Sequence, residues 1–274
     1  MRPGAYIFVA IILSIAAGWA IRRAWRRSRR ARLRASALPE HLAAALRSQY
    51  PVYGRLPAAL RTRLDGLVNQ FLDEIRFIGV EGVDPTDEMK ALIAAQACLL
   101  VAGRTDAWYD DLDTIYVYPS GYAGKEISRE GHVVTESAST RLGESWTRGP
   151  VVLSWADARA GAREDGDGRN LVYHEFAHRL DARTGVVDGA PLLGDAARAA
   201  SWAKTFRPLF EEHRAAVDAG RATFFDAYGA TSPAEFFAVV TEAFIERAHE
   251  FRAAEPRLYA VVEGYYRLSP HEWS

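Results

Sequence analysis

The sequence predicts a helix-rich α+β fold with one small sheet. Apolar residues recur at helical spacing through most of the chain, for example at Leu60, Leu64, Leu67 and Phe71. Between residues 104 and 155 the pattern changes to short runs of β-branched and aromatic residues separated by glycine and proline, which is typical of strands. Because these runs follow one another without helical patterns between them, we expect a small mixed or antiparallel sheet.

The predicted elements follow one another along a single domain. Helices are expected at about 40–48, 56–76, 86–102, 196–219, 233–252 and 256–267. Strands are expected at Thr114–Tyr118, about Gly131–Glu136 and Val151–Ser154. A loop rich in glycine and aspartate, 159–169, then leads through Asn170 into a further helix. No composition shift divides residues 38–274, so they are predicted to form one domain.

Composition and charge limit the classes of function. The chain has 274 residues, of which 49% are hydrophobic, and this excludes a wholly disordered protein. Its single cysteine, Cys98, cannot form an intramolecular disulfide and fits a reducing compartment. Residues 35–274 contain 25 basic against 35 acidic residues, a net charge of −10. A body this acidic is a poor binder of nucleic acid, and no nucleic-acid partner is expected.

Residues 1–37 are predicted to be a membrane anchor. Residues 5–21 form a run of 17 residues without charge, which at helical rise spans roughly 26 Å, about the thickness of a hydrocarbon core. Eight arginines follow this run by residue 34 and one precedes it. The positive-inside rule then predicts a single-pass protein of the inner, cytoplasmic membrane with its body facing the cytoplasm. The arginines are expected to contact anionic lipid headgroups.

The most specific chemical signal lies in residues 171–180, which read L-V-Y-H-E-F-A-H-R-L. His174 and His178 are four residues apart, so on a helix both imidazoles project from one face and can bind the same metal ion. With Glu175 between them they form H-E-x-x-H, the zinc metallopeptidase signature, in which the glutamate takes a proton from the water that the ion activates.

A chance occurrence of this motif on an amphipathic core helix is the alternative interpretation. The surrounding residues are nearly all apolar, and histidines in such surroundings need a partner such as a metal. The sequence therefore predicts one Zn²⁺ ion in a zincin-like metallopeptidase domain that covers 38–274.

A third protein ligand must come from elsewhere in the chain. Glu235 and Glu242 both qualify, because they lie seven residues apart on one predicted apolar helix and thus on the same face. Glu235 also stands three residues after Ser232, with Pro233 at the first helical position. This is a capping-box pattern, in which the carboxylate of Glu235 would bond only a backbone N–H. Spacing alone leaves the choice open.

Five segments together carry a family resemblance. They read H-E-F-A-H-R-L-D, A-Y-G-A-T-S-P-A-E-F-F-A-V-V-T-E-A-F, F-L-D-E-I-R-F-I-G-V-E-G, T-D-E-M-K-A-L-I-A-A-Q-A-C-L-L and G-P-V-V-L-S-W. These segments resemble the Mlc titration factor A family of zinc-dependent peptidases, and the second also resembles the catalytic domain of anthrax lethal factor. The resemblance covers most of 38–250, which makes it far more specific than the five-residue motif.

The resemblance implies a complete catalytic site. It implies that Glu235 is the third zinc ligand, with His174 and His178, and that Glu175 is the catalytic base. It further implies that Tyr228 points at the site, where its phenol could donate a hydrogen bond to the oxyanion formed at the scissile carbonyl.

Two further carboxylates are candidates for a supporting role. With Glu235 as the ligand, Glu242 becomes a carboxylate that orients a ligand histidine. Asp181 is a second candidate for that role, although capping of the helix end by the following loop explains it more simply.

The predicted function is that of a membrane-anchored zinc-dependent peptidase acting on a peptide or protein substrate. The main alternative is a non-catalytic regulatory protein that uses the zinc domain as a scaffold to bind a transcription regulator or membrane partner, since the family takes its name from binding a repressor. Glu175 and Tyr228 favour catalysis, because a scaffold needs neither residue. A metal hydrolase that acts on other esters or amides is a weaker third alternative.

Overall fold

Helices dominate the structure, a computed structural model that describes residues 3–120 and 149–273, with the side chains of the first helix from Ile12 onward. The helices are Pro3–Ala35 (α1), Glu40–Gln49 (α2), Pro51–Arg55 (α3), Ala58–Glu74 (α4), Asp87–Ala102 (α5), Trp155–Arg163 (α6), Leu171–Asp181 (α7), Ala196–Asp218 (α8), Pro233–Glu246 (α9), Ala248–Ala254 (α10) and Pro256–Tyr266 (α11). Short 3₁₀ turns occupy Ala182–Thr184, Ala227–Ala230 and Pro270–Glu272.

Local sequence signals set where several helices begin. The side chain of Thr86 accepts a hydrogen bond from the backbone of Met89 at 3.2 Å and starts α5. The hydroxyl of Ser232 does the same for the backbone of Glu235 at 3.2 Å, with a proline at the first position of α9. The expected helix at 233–252 is divided into α9 and α10, and the first part of the expected loop at 159–169 belongs to α6.

The sheet is parallel, which corrects the expected mixed or antiparallel arrangement. Its strands are Arg76–Gly79 (β1), Thr114–Tyr118 (β2) and Val151–Ser154 (β3), in the order β1-β2-β3. Both neighbouring pairs are parallel, with Phe77 opposite Ile115 and Val117 opposite Leu153. The error arose because β1 was not predicted. Parallel strands need a long crossover, and α5 supplies it between β1 and β2. The strand predicted at Gly131–Glu136 lies outside the described residues.

The core is built around α5. Every residue of α5 from Ala91 to Ala102 is buried, and this helix packs against α2, α4 and α7. On α7, Phe176 contacts Phe71 of α4 at a centroid distance of 5.9 Å and Tyr109 at 4.9 Å. These apolar contacts fix one side of α7 to the core, and so its opposite side, with the two histidines, has a defined position.

The predicted single-pass localisation in the inner membrane is wrong, and the predicted N-terminal membrane helix finds no support in the part of the chain that the structure describes. Within 3–120 and 149–273, no helix has an apolar stretch long enough to cross a bilayer. The arginines that were expected to contact lipid headgroups include several that bind the body of the protein instead. Arg29 pairs with Asp73 at 2.8 Å, and Arg30 pairs with Glu74 at 2.7 Å and with Asp110 at 3.0 Å. These carboxylates were too far away in sequence for the pairing to be foreseen.

A glycine allows the end of α1 to approach α4 closely. Gly66 lies on the buried side of α4, and a Cβ atom at this position would clash with the backbone of Arg34. The side chain of Arg34 bonds Gln70 on α4 and lies over the ring of Trp108 at 5.4 Å. The docking of α1 therefore depends on Gly66 as well as on the ion pairs.

Replacement of this glycine tests the docking of α1. We expect Gly66→Ala to lower the free energy of unfolding by about 1–3 kcal/mol, because backbone atoms of α1 must shift. The matched control is Gly54→Ala on α3, where an added Cβ meets nothing within 4 Å and helix propensity should make the change neutral or slightly stabilising. Urea denaturation and proteolysis at the arginines of α1 measure both effects. Equal behaviour of the two variants would contradict this packing.

Candidate metal centre

The two histidines of the motif lie side by side on α7. Asn170 is the N-cap of this helix, and its Oδ1 accepts a hydrogen bond from the backbone N–H of Tyr173 at 3.0 Å. His174 and His178 then project from the same face one turn apart, as their spacing predicts. Their Nε2 atoms are 3.2 Å apart, and their side chains are 14% and 23% exposed. The imidazoles thus face one shared point at the edge of the protein interior.

Glu235 reaches the same point from the first turn of α9. Its Oε2 lies 2.9 Å from Nε2 of His174 and 3.3 Å from Nε2 of His178. The carboxylate is therefore directed at the two ligand histidines, while the capping of α9 is done by the Ser232 hydroxyl. Spacing alone left both Glu235 and Glu242 as candidates for the third ligand. The structure brings Glu235 to the Nε2 atoms of the two histidines.

These three atoms fit a tetrahedral metal ion. A zinc ion with bonds of about 2.0–2.1 Å separates its ligand atoms by about 3.3 Å, and the observed separations are 2.9, 3.2 and 3.3 Å. Two imidazole nitrogens and a carboxylate oxygen are also donor types that zinc accepts. His174, His178 and Glu235 could therefore hold a metal ion.

Glu242 supports this arrangement from the next turns of α9. Its Oε1 accepts a hydrogen bond from Nδ1 of His174 at 2.8 Å, which leaves Nε2 of His174 facing Glu235 and His178. Its other oxygen, Oε2, accepts a hydrogen bond from the backbone N–H of Asn170. The structure thus places Glu242 behind His174 and not among the three residues that could hold a metal ion.

The two residues with predicted catalytic roles adjoin the same centre. Tyr228 lies on the 3₁₀ turn Ala227–Ala230, with its ring 5.8 Å from that of His174 and its hydroxyl hydrogen-bonded to Glu235. Glu175 follows His174 on α7 and is partly exposed. Its negative charge contributes to raising the pKa values of His174 and Tyr228, which places it within interaction range of both.

Asp181 lies at the other end of α7. It is fully buried, and its Oδ2 accepts a hydrogen bond from the backbone N–H of Gly189 at 2.7 Å. Burial raises the pKa of its carboxyl to about 6. Asp181 thus holds the loop that follows α7.

Electrostatics favour a cation at the centre. Burial acts to raise the pKa of Glu235, but hydrogen bonds from His174 and His178 outweigh it and hold the pKa well below its usual range. Burial acts to lower the pKa of His174, but Glu235 and Glu242 together raise it well above its usual value. The site therefore keeps Glu235 ionised and attracts positive charge.

The contact between Asn170 and Gln96, which lies behind the site, was not predicted from the sequence. The side chain of Asn170 donates to Oε1 of Gln96 on α5 at 2.9 Å. The signal was present, since Gln96 is the one polar residue within the run L-I-A-A-Q-A-C-L-L, which was expected to be buried. A buried amide needs a partner, but nothing in the sequence indicates which partner it has.

Comparison with known proteins agrees with this geometry. Residues 22–267 match the family described as glucose-regulated metallo-peptidase M90. A Synechocystis protein named "Uncharacterized protein slr2042" is 36% identical over 272 residues, which are 98% of each chain. Mlc titration factor A of Klebsiella pneumoniae strain 342 is 32% identical over 224 residues, 80% of this chain and 83% of the relative. Mlc titration factor A of Salmonella arizonae is 30% identical over 226 residues, 81% of this chain and 89% of the relative.

The chain therefore belongs to the M90 family of glucose-regulated metallopeptidases. The resemblance to Mlc titration factor A, inferred from five segments, is confirmed. The further resemblance to anthrax lethal factor stays a prediction.

Metal affinity tests the assignment of ligands. We expect His178→Ala and Glu235→Gln each to weaken Zn²⁺ binding by more than a hundredfold, because each removes or neutralises one of three ligands. Glu242→Gln is expected to weaken it by about tenfold to a hundredfold, since it only supports His174. Competition with a chromophoric chelator measures these constants.

His249→Ala provides the control, because this histidine is exposed on α10. Its Zn²⁺ affinity is expected to equal that of the parent protein. A parent-like affinity of Glu235→Gln would show that the third ligand is a different residue.

Proposed function

We propose that this protein is a zinc-dependent peptidase. The observation that carries the proposal is the convergence of His174, His178 and Glu235 beside the carboxylate of Glu175 and the phenol of Tyr228. A site that only stored or scaffolded zinc would need the three ligands but neither of the other two groups. Membership of a metallopeptidase family further supports this function.

Different residues have different roles in the proposed hydrolysis. An ion held by His174, His178 and Glu235 would polarise the scissile carbonyl and acidify the attacking water. Glu175 accepts the proton of that water and passes it to the leaving amine. Tyr228 donates a hydrogen bond to the developing oxyanion. Burial and the charge of Glu235 raise the pKa of Tyr228, so the phenol keeps the proton that this role requires.

The sheet offers a place for an extended substrate. Among the described strands β3 lies at one edge, and it packs against α7. The backbone of a peptide could pair with this edge, as peptides do in β-augmentation. Its scissile bond would then lie near the histidines of α7.

Removal and return of the metal test the proposal. We expect the protein to cleave members of a broad peptide library, to lose this activity when a chelator strips the metal, and to regain it when Zn²⁺ is restored. Mass spectrometry of the products identifies the cleaved bonds. Turnover of simple esters without any peptide product would instead support a non-peptidase metal hydrolase.

Tyr228→Phe tests the proposed oxyanion donor. This change removes one hydroxyl and retains the ring, so we expect kcat to fall by about 10²–10³-fold with little change in KM. Zinc content, measured in the same sample, is expected to stay at the level of the parent protein. A loss of zinc in parallel with activity would indicate that Tyr228 supports the ligands and has no direct role in the reaction.

A second function remains consistent with the relatives. Several of them carry the name Mlc titration factor A, and this name favours a regulatory protein partner for the present chain as well. In that case zinc would stabilise a binding surface. Zinc-loaded protein that binds such a regulator but releases no peptide product from the library would favour this alternative.

A further inference from the structure

Asn170, the N-cap of α7, is held by several hydrogen bonds. Asn170 is 1% exposed. Its Oδ1 accepts from the backbone N–H of Tyr173 at 3.0 Å, and its backbone carbonyl accepts from the backbone N–H of His174 at 2.9 Å. Its Nδ2 donates to Gln96 and to the carbonyl of Gly161, both at 2.9 Å. Every polar group of this buried residue therefore has a partner.

Gln96 fixes the other side of this contact. It is fully buried in α5, and its Nε2 donates to the backbone carbonyls of Leu92 at 3.1 Å and Ala158 at 3.3 Å. Both its donor hydrogens are used within α5 and α6, so its Oε1 is presented to Asn170 in one orientation. The amide pair thereby links three helices at the point where α7 begins.

Close packing adds a steric constraint to these bonds. A Cβ atom on Gly161 would lie 3.1 Å from Cα, Cγ and Nδ2 of Asn170. A larger residue at this position would push Asn170 away by a few tenths of an ångström and so disturb the 2.9 Å hydrogen bond to the carbonyl of Gly161. The position of Asn170 is thus fixed from the sides of both α5 and α6.

The same asparagine is connected to the metal ligands through Glu242. The carboxylate of Glu242 accepts from the backbone N–H of Asn170 with one oxygen and from Nδ1 of His174 with the other, at 2.8 Å. A shift of Asn170 must therefore move or break the bond that orients His174. The amide of Gln96 is therefore connected to His174 only indirectly, through Asn170 and Glu242.

We infer that Gln96 is a positioning residue for the metal centre, acting through Asn170 and Glu242 on the orientation of His174. This inference rests on the proposed metal site. Burial of two amides is costly unless they are hydrogen-bonded, and a polar network of this kind favours one arrangement of the helices over others of similar packing. Stability alone could be supplied by apolar residues of the same size, whereas a fixed helix start requires directional bonds.

The experiment compares Zn²⁺ affinity with stability in the full-length protein. Gln96→Met keeps the size of the side chain and removes its hydrogen bonds. Thr241→Val is the matched control, since Thr241 is a fully buried polar residue of α9 that bonds Phe237 at 2.8 Å and Tyr266 at 2.7 Å, and no ligand or Glu242. Zn²⁺ affinity is measured by chelator competition, stability by thermal unfolding of the metal-free protein, and opening of the helix start by hydrogen exchange at Tyr173 and His174.

We expect Gln96→Met to weaken Zn²⁺ binding by about tenfold or more and to speed amide exchange at His174, while Thr241→Val changes only the melting temperature. Gln96→Glu, which as a buried carboxylic acid keeps an acceptor for Asn170, should recover part of the affinity. If Gln96→Met does not fold, Gly161→Ala provides the same test, because it displaces Asn170 sterically.

Two other outcomes have distinct meanings. Parent-like Zn²⁺ affinity and parent-like exchange at His174, in a Gln96→Met protein whose melting temperature falls as in Thr241→Val, would overturn the inference and leave Gln96 a purely structural residue. A parent protein that binds no Zn²⁺ would overturn the proposed function instead, and the exchange measurement would still decide whether Gln96 fixes the start of α7.

Discussion

The candidate metal centre depends on one carboxylate, which joins two helices. Glu242 of α9 accepts hydrogen bonds from Nδ1 of His174 and from the backbone N–H of Asn170, both of α7. One side chain therefore fixes both where α7 starts and how its first histidine is turned. Because an N–H group at a helix start has no partner within the helix, it is available for such a bond. The approach of α9 to α7 also brings Glu235 to the Nε2 atoms of the histidines.

The apolar core supplies the rest of this alignment. Phe176 holds α7 against the aromatic cluster of Phe71 and Tyr109, on the side away from the histidines. On α9, which is buried along most of its length, the neighbouring Phe236 and Phe237 are both fully buried. On α7, apolar packing therefore lies on one face and the two histidines lie on the other.

Features of the site that depend only on residues close together in the sequence could be predicted. The spacing of His174 and His178, and the helix start at Ser232 and Pro233, are local and were readable directly. Spacing could not decide between Glu235 and Glu242, because residues seven apart share a helix face, and at that stage only the family resemblance favoured Glu235. The same limit applied to the fold: β1 is four residues long, its pairing with β2 spans α5, and the carboxylates that pair with Arg29 and Arg30 lie more than forty residues away.

The proposed mechanism gives Glu175 the role of catalytic base in a site whose metal is held by other residues. It is tested most directly by Glu175→Gln, with zinc content and peptide hydrolysis measured in the same sample as for the parent protein. We expect equal zinc content and a loss of hydrolysis by about 10²–10⁴-fold, because the amide cannot take the proton of the attacking water. Hydrolysis at the parental rate by the zinc-loaded variant would show that Glu175 is not the catalytic base.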